Sequence, residues 1–350
     1  MPLVSANGIE IFYDDVGDPN APALLLIMGL ATQMIAWPDA FCGRLADRGF
    51  RVIRFDNRDI GLTTKIENAP KVDIQAAFLR ALAGQPVPAP YNLDDMAKDA
   101  IGLMDALGVA RAHVVGASMG GMIAQIMAAK HGARTRSLVS IMSTSGDPKL
   151  PQAKPAVAAM LTATRPPGSD REASIQFGIN VYRVIGSPGY PTPEPELRAK
   201  VERAFDRSYN TVGVGRQMLA ILASGSRVDL LKTIRAPTLV LHGEDDPLAP
   251  VEGGRDTARL TPGATLKIIP GWGHDIPTAL IPTLVEAIAA HCQNADRAAA
   301  AGGPACRSQG AGQTGVNVAF RRPAQVGEMG LAVAVVSRRM TSGRRSTVPA

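Results

Sequence analysis

The sequence predicts an α/β fold in which helices cover both faces of a mostly parallel sheet. Apolar segments typical of buried strands, at 23–27 and 51–55, alternate with helical segments at 37–48 and 96–107. Such alternation is the pattern of consecutive strand–helix–strand units. An initial strand at 9–13 is expected to pair antiparallel with the sheet.

A serine motif lies at one junction of this alternation. Residues 116–120 read Gly-Ala-Ser-Met-Gly, after the apolar run 112–115 and before the helix-forming run 121–130. A strand, a sharp turn and a helix around G-x-S-x-G raise a serine hydroxyl to the top of a sheet. Glycines are needed there because a side chain would collide with the neighbouring strand or helix. Ser118 is therefore the predicted nucleophile.

A nucleophilic serine requires a histidine base and a carboxylate that orients the base, in the chain order serine, acid, histidine. Asp245 and Asp246 follow the β-branched strand 237–241, and His274 ends a glycine-rich turn after the next strand. Both positions lie just past the carboxyl end of a strand, where catalytic groups gather in a parallel sheet. His274 is the predicted base. Either aspartate could be the acid, and Asp246 is favoured because Pro247 restricts its conformation.

The other four histidines fit the role less well. His242 also ends a strand, but it precedes the acid instead of following it. His113 lies inside the strand before the serine, which favours a place in the core or at the sheet edge. His131 and His291 are expected to close helices, where a histidine complements the helix dipole.

Acyl transfer also requires two hydrogen-bond donors aimed at the developing oxyanion. One is expected to be the backbone N–H of Met119, the residue after the nucleophile. The other is expected from the loop after the strand 23–27. In that loop Gly29 allows close approach of the backbone and Leu30 offers its N–H.

With these motifs in place, the chain resembles the α/β-hydrolase superfamily over about residues 7–291. Residues 243–246, Gly-Glu-Asp-Asp, are similar to the family's G-x-x-D acid loop. Residues 271–274, Gly-Trp-Gly-His, resemble its histidine loop. The resemblance implies that Asp246 is the acid and that the fold is that of the α/β-hydrolases, with an inserted cap.

A narrower resemblance is to a subgroup of small serine carboxylesterases that includes the anthracycline methylesterases. Residues 56–63, Asp-Asn-Arg-Asp-Ile-Gly-Leu-Thr, look like the family's D-x-R-G-x-G-x-S loop, with Asp59 in place of a glycine and Thr63 in place of the serine. Trp37-Pro38 and Met28-Gly29 also resemble the subgroup. Many relatives carry His-Gly where this chain has Met28-Gly29. A backbone N–H donor is retained in this chain, but any polar contribution of a histidine side chain is lost.

The motifs and the resemblance together imply a serine hydrolase that cleaves carboxylic esters through an acyl-enzyme. Ser118 would attack the carbonyl, His274 would take and return the proton, and Asp246 would hold the imidazole. No metal or cofactor is implied. Two alternatives stay open: a lactonase or carbon–carbon bond hydrolase with the same triad, and a non-catalytic member of the fold that only binds. Dehalogenases and epoxide hydrolases of this fold use an aspartate nucleophile, so Ser118 argues against them.

The alternation of strands and helices stops after the serine helix and its following strand, which predicts an insertion. The predicted organisation is a core at 1–145, a proline-rich cap at 146–230, the second part of the core at 231–292, and a low-complexity, arginine-rich tail at 293–350 that is expected to be disordered. The final core helix is expected to end near His291.

The cap is expected to contribute an apolar pocket. Apolar pockets enclose small apolar ligands, which favours short to medium acyl chains. The candidate pocket residues of the cap are Met160, Leu161, Phe177 and Tyr182.

Charge and cysteine content limit the expected partners. The formal net charge is +6, and residues 293–350 carry eight arginines, no lysine, one aspartate and one glutamate. Residues 1–292 are therefore formally neutral, so neither nucleic acid nor an anionic membrane is an expected partner. The expected partner is a small-molecule ester substrate.

The chain has no run of 18 apolar residues and no signal-peptide pattern at its start, and its three cysteines are scattered. These features together favour a cytoplasmic location. The oligomeric state stays open.

Overall fold

The centre of the fold is a sheet of parallel strands with an antiparallel pair at one edge. The computed structural model describes residues 2–67, 69, 73–154, 157 and 170–301. All of them belong to one unit, Met1–Gly303. The strands are β1 (Leu3–Ala6), β2 (Ile9–Val16), β3 (Ala23–Ile27), β4 (Arg51–Phe55), β5 (Ala112–Ala117), β6 (Thr135–Ile141), β7 (Thr238–Gly243) and β8 (Thr265–Ile269).

The strand order in this eight-stranded sheet is β1-β2-β4-β3-β5-β6-β7-β8. β1 pairs with β2, and β2 with β4, in the antiparallel sense, while all other neighbours are parallel. The predicted fold class is confirmed. β1 is the strand that the sequence analysis missed, because only Ala6 of its four residues is buried.

Helices cover both faces of the sheet, as predicted. Leu25 and Ile27 of β3 pack into one core, whereas Leu24 and Leu26 pack into the other, because successive side chains of a strand point to opposite faces. The helices of the described residues are α1 (Asp39–Ala46), α2 (Ile74–Leu82), α3 (Leu93–Ala106), α4 (Met119–Lys130), α5 (Arg171–Ile185), α6 (Glu194–Arg207), α7 (Thr211–Ser224), α8 (Val228–Leu231), α9 (Val251–Leu260) and α10 (Ile281–Ala301). α3 and α4 cover the first face, and α1 and α10 the second.

Between β6 and β7 the chain leaves the sheet, in the segment where the sequence predicts a cap. α5 and α6 form a small core of their own from Ile175, Ile179, Leu197 and Val201. The predicted pocket residues Met160 and Leu161 lie outside the described residues, as does the tail from residue 302. The division into core, cap and second core segment stays a prediction.

The last helix extends beyond its predicted end. α10 continues to Ala301, so the prediction that it ends near His291 is wrong, and residue 292 lies inside the helix. Asp296 explains the extension, because it accepts a hydrogen bond from Arg136 (2.8 Å) and lies 3.2 Å from the ring of buried His113. The alanines that follow favour helix intrinsically. None of the helices within the described ranges has the length and apolarity needed to cross a membrane.

Candidate active site

Ser118 occupies a strained turn between β5 and α4. Its φ of 56° and ψ of −121° place a residue with a side chain in the left-handed half of the backbone map, which costs free energy unless the surroundings hold it. The Ser118 N–H donates to the Ile141 carbonyl (2.9 Å), and its own carbonyl accepts from the Ser143 hydroxyl (2.9 Å) and from the Gly121 N–H (2.9 Å). The backbone on both sides of the serine is therefore fixed.

The two motif glycines are required by close backbone contacts. A Cβ at Gly116 would lie 2.1 Å from the carbonyl oxygen of Gly120, and a Cβ at Gly120 would lie 2.1 Å from that of Ile27. Both obstructing atoms belong to the backbone, so neither can move without displacing a strand or helix. The collision expected from the sequence is confirmed.

We expect Gly120→Ala to lower the free energy of unfolding by about 3 kcal/mol or more, at the upper end of overpacking effects. Urea unfolding would measure it. Gly132→Ala is the matched control, because a Cβ there meets no atom within 4 Å. Equal unfolding midpoints for the two variants would contradict the steric argument.

The structure brings Ser118, His274 and Asp246 into one hydrogen-bonded series. His274 Nε2 lies 2.9 Å from Ser118 Oγ, and His274 Nδ1 lies 2.7 Å from Asp246 Oδ2. The three residues follow β5, β8 and β7, so they meet at the carboxyl edge of the sheet. The His274 N–H donates to the Ile185 carbonyl (2.7 Å), which anchors the histidine loop to the end of α5.

The Asp246 carboxylate is buried and fully hydrogen-bonded. Its Oδ1 accepts the backbone N–H groups of Leu248 (2.9 Å) and Ala249 (2.8 Å), while Oδ2 faces His274. Burial by itself would raise the pKa of Asp246. The positive charge that His274 carries when protonated, its hydrogen bond to Asp246 and the nearby His242 ring outweigh burial and hold this pKa below its usual range. The group is therefore ionised at neutral pH.

His242 and Asp245, the alternative base and acid considered from the sequence, lie beside the hydrogen-bonded series of Ser118, His274 and Asp246. His242 Nε2 is 2.7 Å from the Ala249 carbonyl oxygen and 3.6 Å from Asp246 Oδ2, so it supports the carboxylate and not the serine. Exposed Asp245 accepts the Gly271 N–H (2.8 Å) and thereby braces the start of the histidine loop.

The loop after β3 passes directly against the serine. A Cβ at Gly29 would lie 3.0 Å from Ser118 Cβ and 3.5 Å from Ser118 Oγ, so a side chain there would crowd the serine. Within the part of the chain that the structure describes, the N–H groups of Leu30 and Met119 donate to no other group. Both predicted oxyanion donors are thus available to a ligand.

Residues 56–63 support this loop, a role that the sequence analysis did not assign. Asn57 Nδ2 donates to the Met28 carbonyl (2.8 Å), and Asp56 Oδ1 accepts the Met34 N–H (2.8 Å). Buried Asp59 has a φ of 69°, which explains why the resembling motif has a glycine there. Its carboxylate binds Arg216 (2.8 Å), the Tyr91 hydroxyl (2.8 Å) and the Ile66 N–H (2.8 Å).

Two predicted pocket residues lie on α5. Tyr182 packs against the small core that α5 and α6 form, with the Lys200 ammonium 4.4 Å from its ring centre, and Phe177 is half-buried. Their place in a substrate pocket stays a prediction.

Comparison with known proteins identifies the family. The model of a family described as alpha/beta hydrolase fold matches residues 22–277, and the chain belongs to this family. It is similar to the rhodomycin D methylesterase of Streptomyces peucetius, with 27% identity over 310 residues that cover 84% of this chain and 98% of that protein. The family resemblance drawn from the sequence is therefore confirmed.

Solved structures show the same fold. A thermophilic esterase from Thermogutta terrifontis has a TM-score of 0.65 and 25% identity, covering 84% of this chain and 99% of that one. The enol-lactonase from Burkholderia xenovorans LB400 has a TM-score of 0.64 and 23% identity, covering 83% and 100%, and supports the fold alone.

Proposed function

We propose that this hydrolase cleaves carboxylic esters through an acyl-enzyme on Ser118. The observation that carries the proposal is the unbroken series from Ser118 Oγ through the His274 ring to Asp246, with steps of 2.9 and 2.7 Å. A serine is a weak nucleophile unless an oriented base removes its proton, and this series supplies the base and its orientation.

The chemical steps follow from this geometry. Ser118, on its nucleophile elbow, attacks the ester carbonyl while His274 Nε2 accepts the hydroxyl proton. The ionised Asp246 accepts the Nδ1–H and stabilises the imidazolium that forms. The N–H groups of Met119 and Leu30 donate to the tetrahedral oxyanion. His274 then protonates the departing alcohol, and a water molecule releases the acid by the same route.

The similarity to a methylesterase and to a thermophilic esterase supports an ester as the substrate. We further propose that short to medium acyl chains are favoured, because the predicted pocket residues that the structure describes, Phe177 and Tyr182, are aromatic and an apolar pocket encloses small apolar ligands. We also propose a cytoplasmic location, because Cys42 and Cys292 are free buried thiols, the state that a reducing compartment maintains.

A panel of p-nitrophenyl esters from acetate to palmitate, with simple lactones alongside, tests this function. We expect the highest kcat/KM between acetate and octanoate and a decline toward palmitate. Turnover of lactones in the absence of any ester hydrolysis would support the lactonase alternative instead. A maximum at palmitate, or activation at an oil–water interface, would contradict the proposed chain-length preference.

A further inference from the structure

The peptide group that carries the Leu30 N–H is held from both sides. On one side, Asn57 fixes the Met28 carbonyl (2.8 Å). On the other, the Ala31 N–H donates to Gln217 Oε1 (3.1 Å), and the Thr32 hydroxyl donates to the Leu30 carbonyl (2.9 Å). The Gly29 carbonyl of the same peptide group accepts only a long bond from the Thr32 N–H (3.4 Å), so the orientation of the Leu30 N–H depends largely on its two neighbouring peptide groups.

Gln217 makes the most distant of these contacts. It lies on α7, its side chain is fully buried, and its amide Nε2 donates to the Arg58 carbonyl (3.0 Å). One side chain thus joins the loop after β3 to the loop after β4. Both of its polar atoms are used, so neither loop can shift without leaving a buried amide atom unpaired, which is costly.

The backbone at Ala31 requires such a contact. Its φ of 62° is in the left-handed region, which is unfavourable for a residue with a Cβ unless neighbouring groups hold it. The Gln217 carbonyl oxygen binds the N–H of this strained residue directly. Without it, Ala31 could relax and turn the preceding peptide groups.

We propose that Gln217 is a positioning residue for ester hydrolysis, which holds the Ala31 amide so that the Leu30 N–H faces the tetrahedral oxyanion. This inference rests on the proposed function. Gln217 acts through the loop and not on substrate. Its loss should therefore weaken binding of the transition state and leave binding of the ground-state ester nearly unchanged.

The test is Gln217→Met, which keeps the side-chain length and removes both hydrogen bonds. Loss of one oxyanion donor costs about 10²–10³-fold in kcat, and a displaced donor should cost less, about ten- to a hundredfold. We expect that fall in kcat on p-nitrophenyl acetate, with KM changed by less than about threefold. Affinity for a trifluoromethyl ketone, whose adduct places an oxyanion in the same position, should fall by the same factor as kcat/KM.

Gln125→Met is the matched control. Gln125 is equally buried and bonds the Ser140 hydroxyl (3.2 Å) and Arg227 (3.1 Å), neither of which belongs to the loop after β3. It should lose comparable stability while keeping kcat and ketone affinity. If Gln217 had a merely structural role, Gln217→Met and Gln125→Met would show the same kcat and the same ketone affinity.

Failure of this inference differs from failure of the proposed function. If the wild-type protein hydrolyses no ester, or if Ser118→Ala keeps the activity, the proposed function is wrong. If the wild-type activity depends on Ser118 but Gln217→Met keeps kcat and ketone affinity, only the inference is overturned. Gln217→Asn, which keeps the amide but is too short to span both partners, gives the same test should Gln217→Met not fold.

Discussion

Ser118→Ala should reduce ester hydrolysis by about 10⁴-fold or more, because the nucleophile itself is lost and only binding and the oxyanion donors remain. The thermal midpoint should stay nearly unchanged. The bonds that hold this turn come from the Ser118 backbone N–H and carbonyl, which an alanine retains. Turnover of p-nitrophenyl acetate and a thermal melt would measure the two effects separately.

A fluorophosphonate should label Ser118 alone, as mapped by mass spectrometry of the digested protein. Ser137→Ala provides the control, because the buried Ser137 hydroxyl bonds the His113 ring (2.8 Å), which lies outside the proton-transfer series. That variant should keep the label and most of the activity. Retention of more than a few per cent of activity in Ser118→Ala would contradict the mechanism.

The parts of the fold that the sequence predicts well are those with strong local signals. Leu24 to Ile27 form an unbroken apolar run, and such runs are typical of central parallel strands buried on both faces. The turn at Ser118 was predictable for a similar reason, since Gly116 and Gly120 lie against backbone atoms that exclude any side chain.

Features that depend on distant contacts could not be predicted in this way. The alanine-rich segment after Cys292 has the composition of a low-complexity tail, yet contacts of Asp296 with Arg136 and His113 extend α10 through it. Gln217 carries no local motif at all. Its contact with Ala31 spans 186 residues and exists only once α7 packs beside the loop after β3.

The choice between Asp245 and Asp246 shows where sequence reasoning stops. Both aspartates follow the same strand, and only the restriction imposed by Pro247 and the family resemblance separated them. In the structure the separation is complete, because Asp246 faces the His274 ring (2.7 Å) whereas Asp245 binds the Gly271 N–H (2.8 Å). The difference depends on how the histidine loop returns to this edge of the sheet, which no local pattern encodes.

Asp246→Asn should therefore lower kcat by about 10⁴-fold, as expected when the orienting acid of a triad becomes an amide. Asp246 Oδ1 accepts two backbone N–H groups, so the oxygen of an asparagine would take that place and turn its NH₂ group toward His274. His274 Nδ1 would then have to accept a hydrogen bond, which moves the ring proton to Nε2. A protonated Nε2 faces Ser118 and cannot act as the base.

Asp245→Asn is the matched control for this substitution, because the asparagine carbonyl oxygen can still accept the Gly271 N–H. It should cost less than about tenfold in kcat, since the histidine loop keeps its brace and the His274 tautomer is untouched. The two variants carry the same change of charge at adjacent positions, so a long-range charge effect would lower kcat equally in both. Comparing kcat of both variants on p-nitrophenyl acetate decides which aspartate is the acid. A larger loss of kcat in Asp245→Asn would make Asp245 the acid. Equal losses would contradict the explanation by the His274 tautomer.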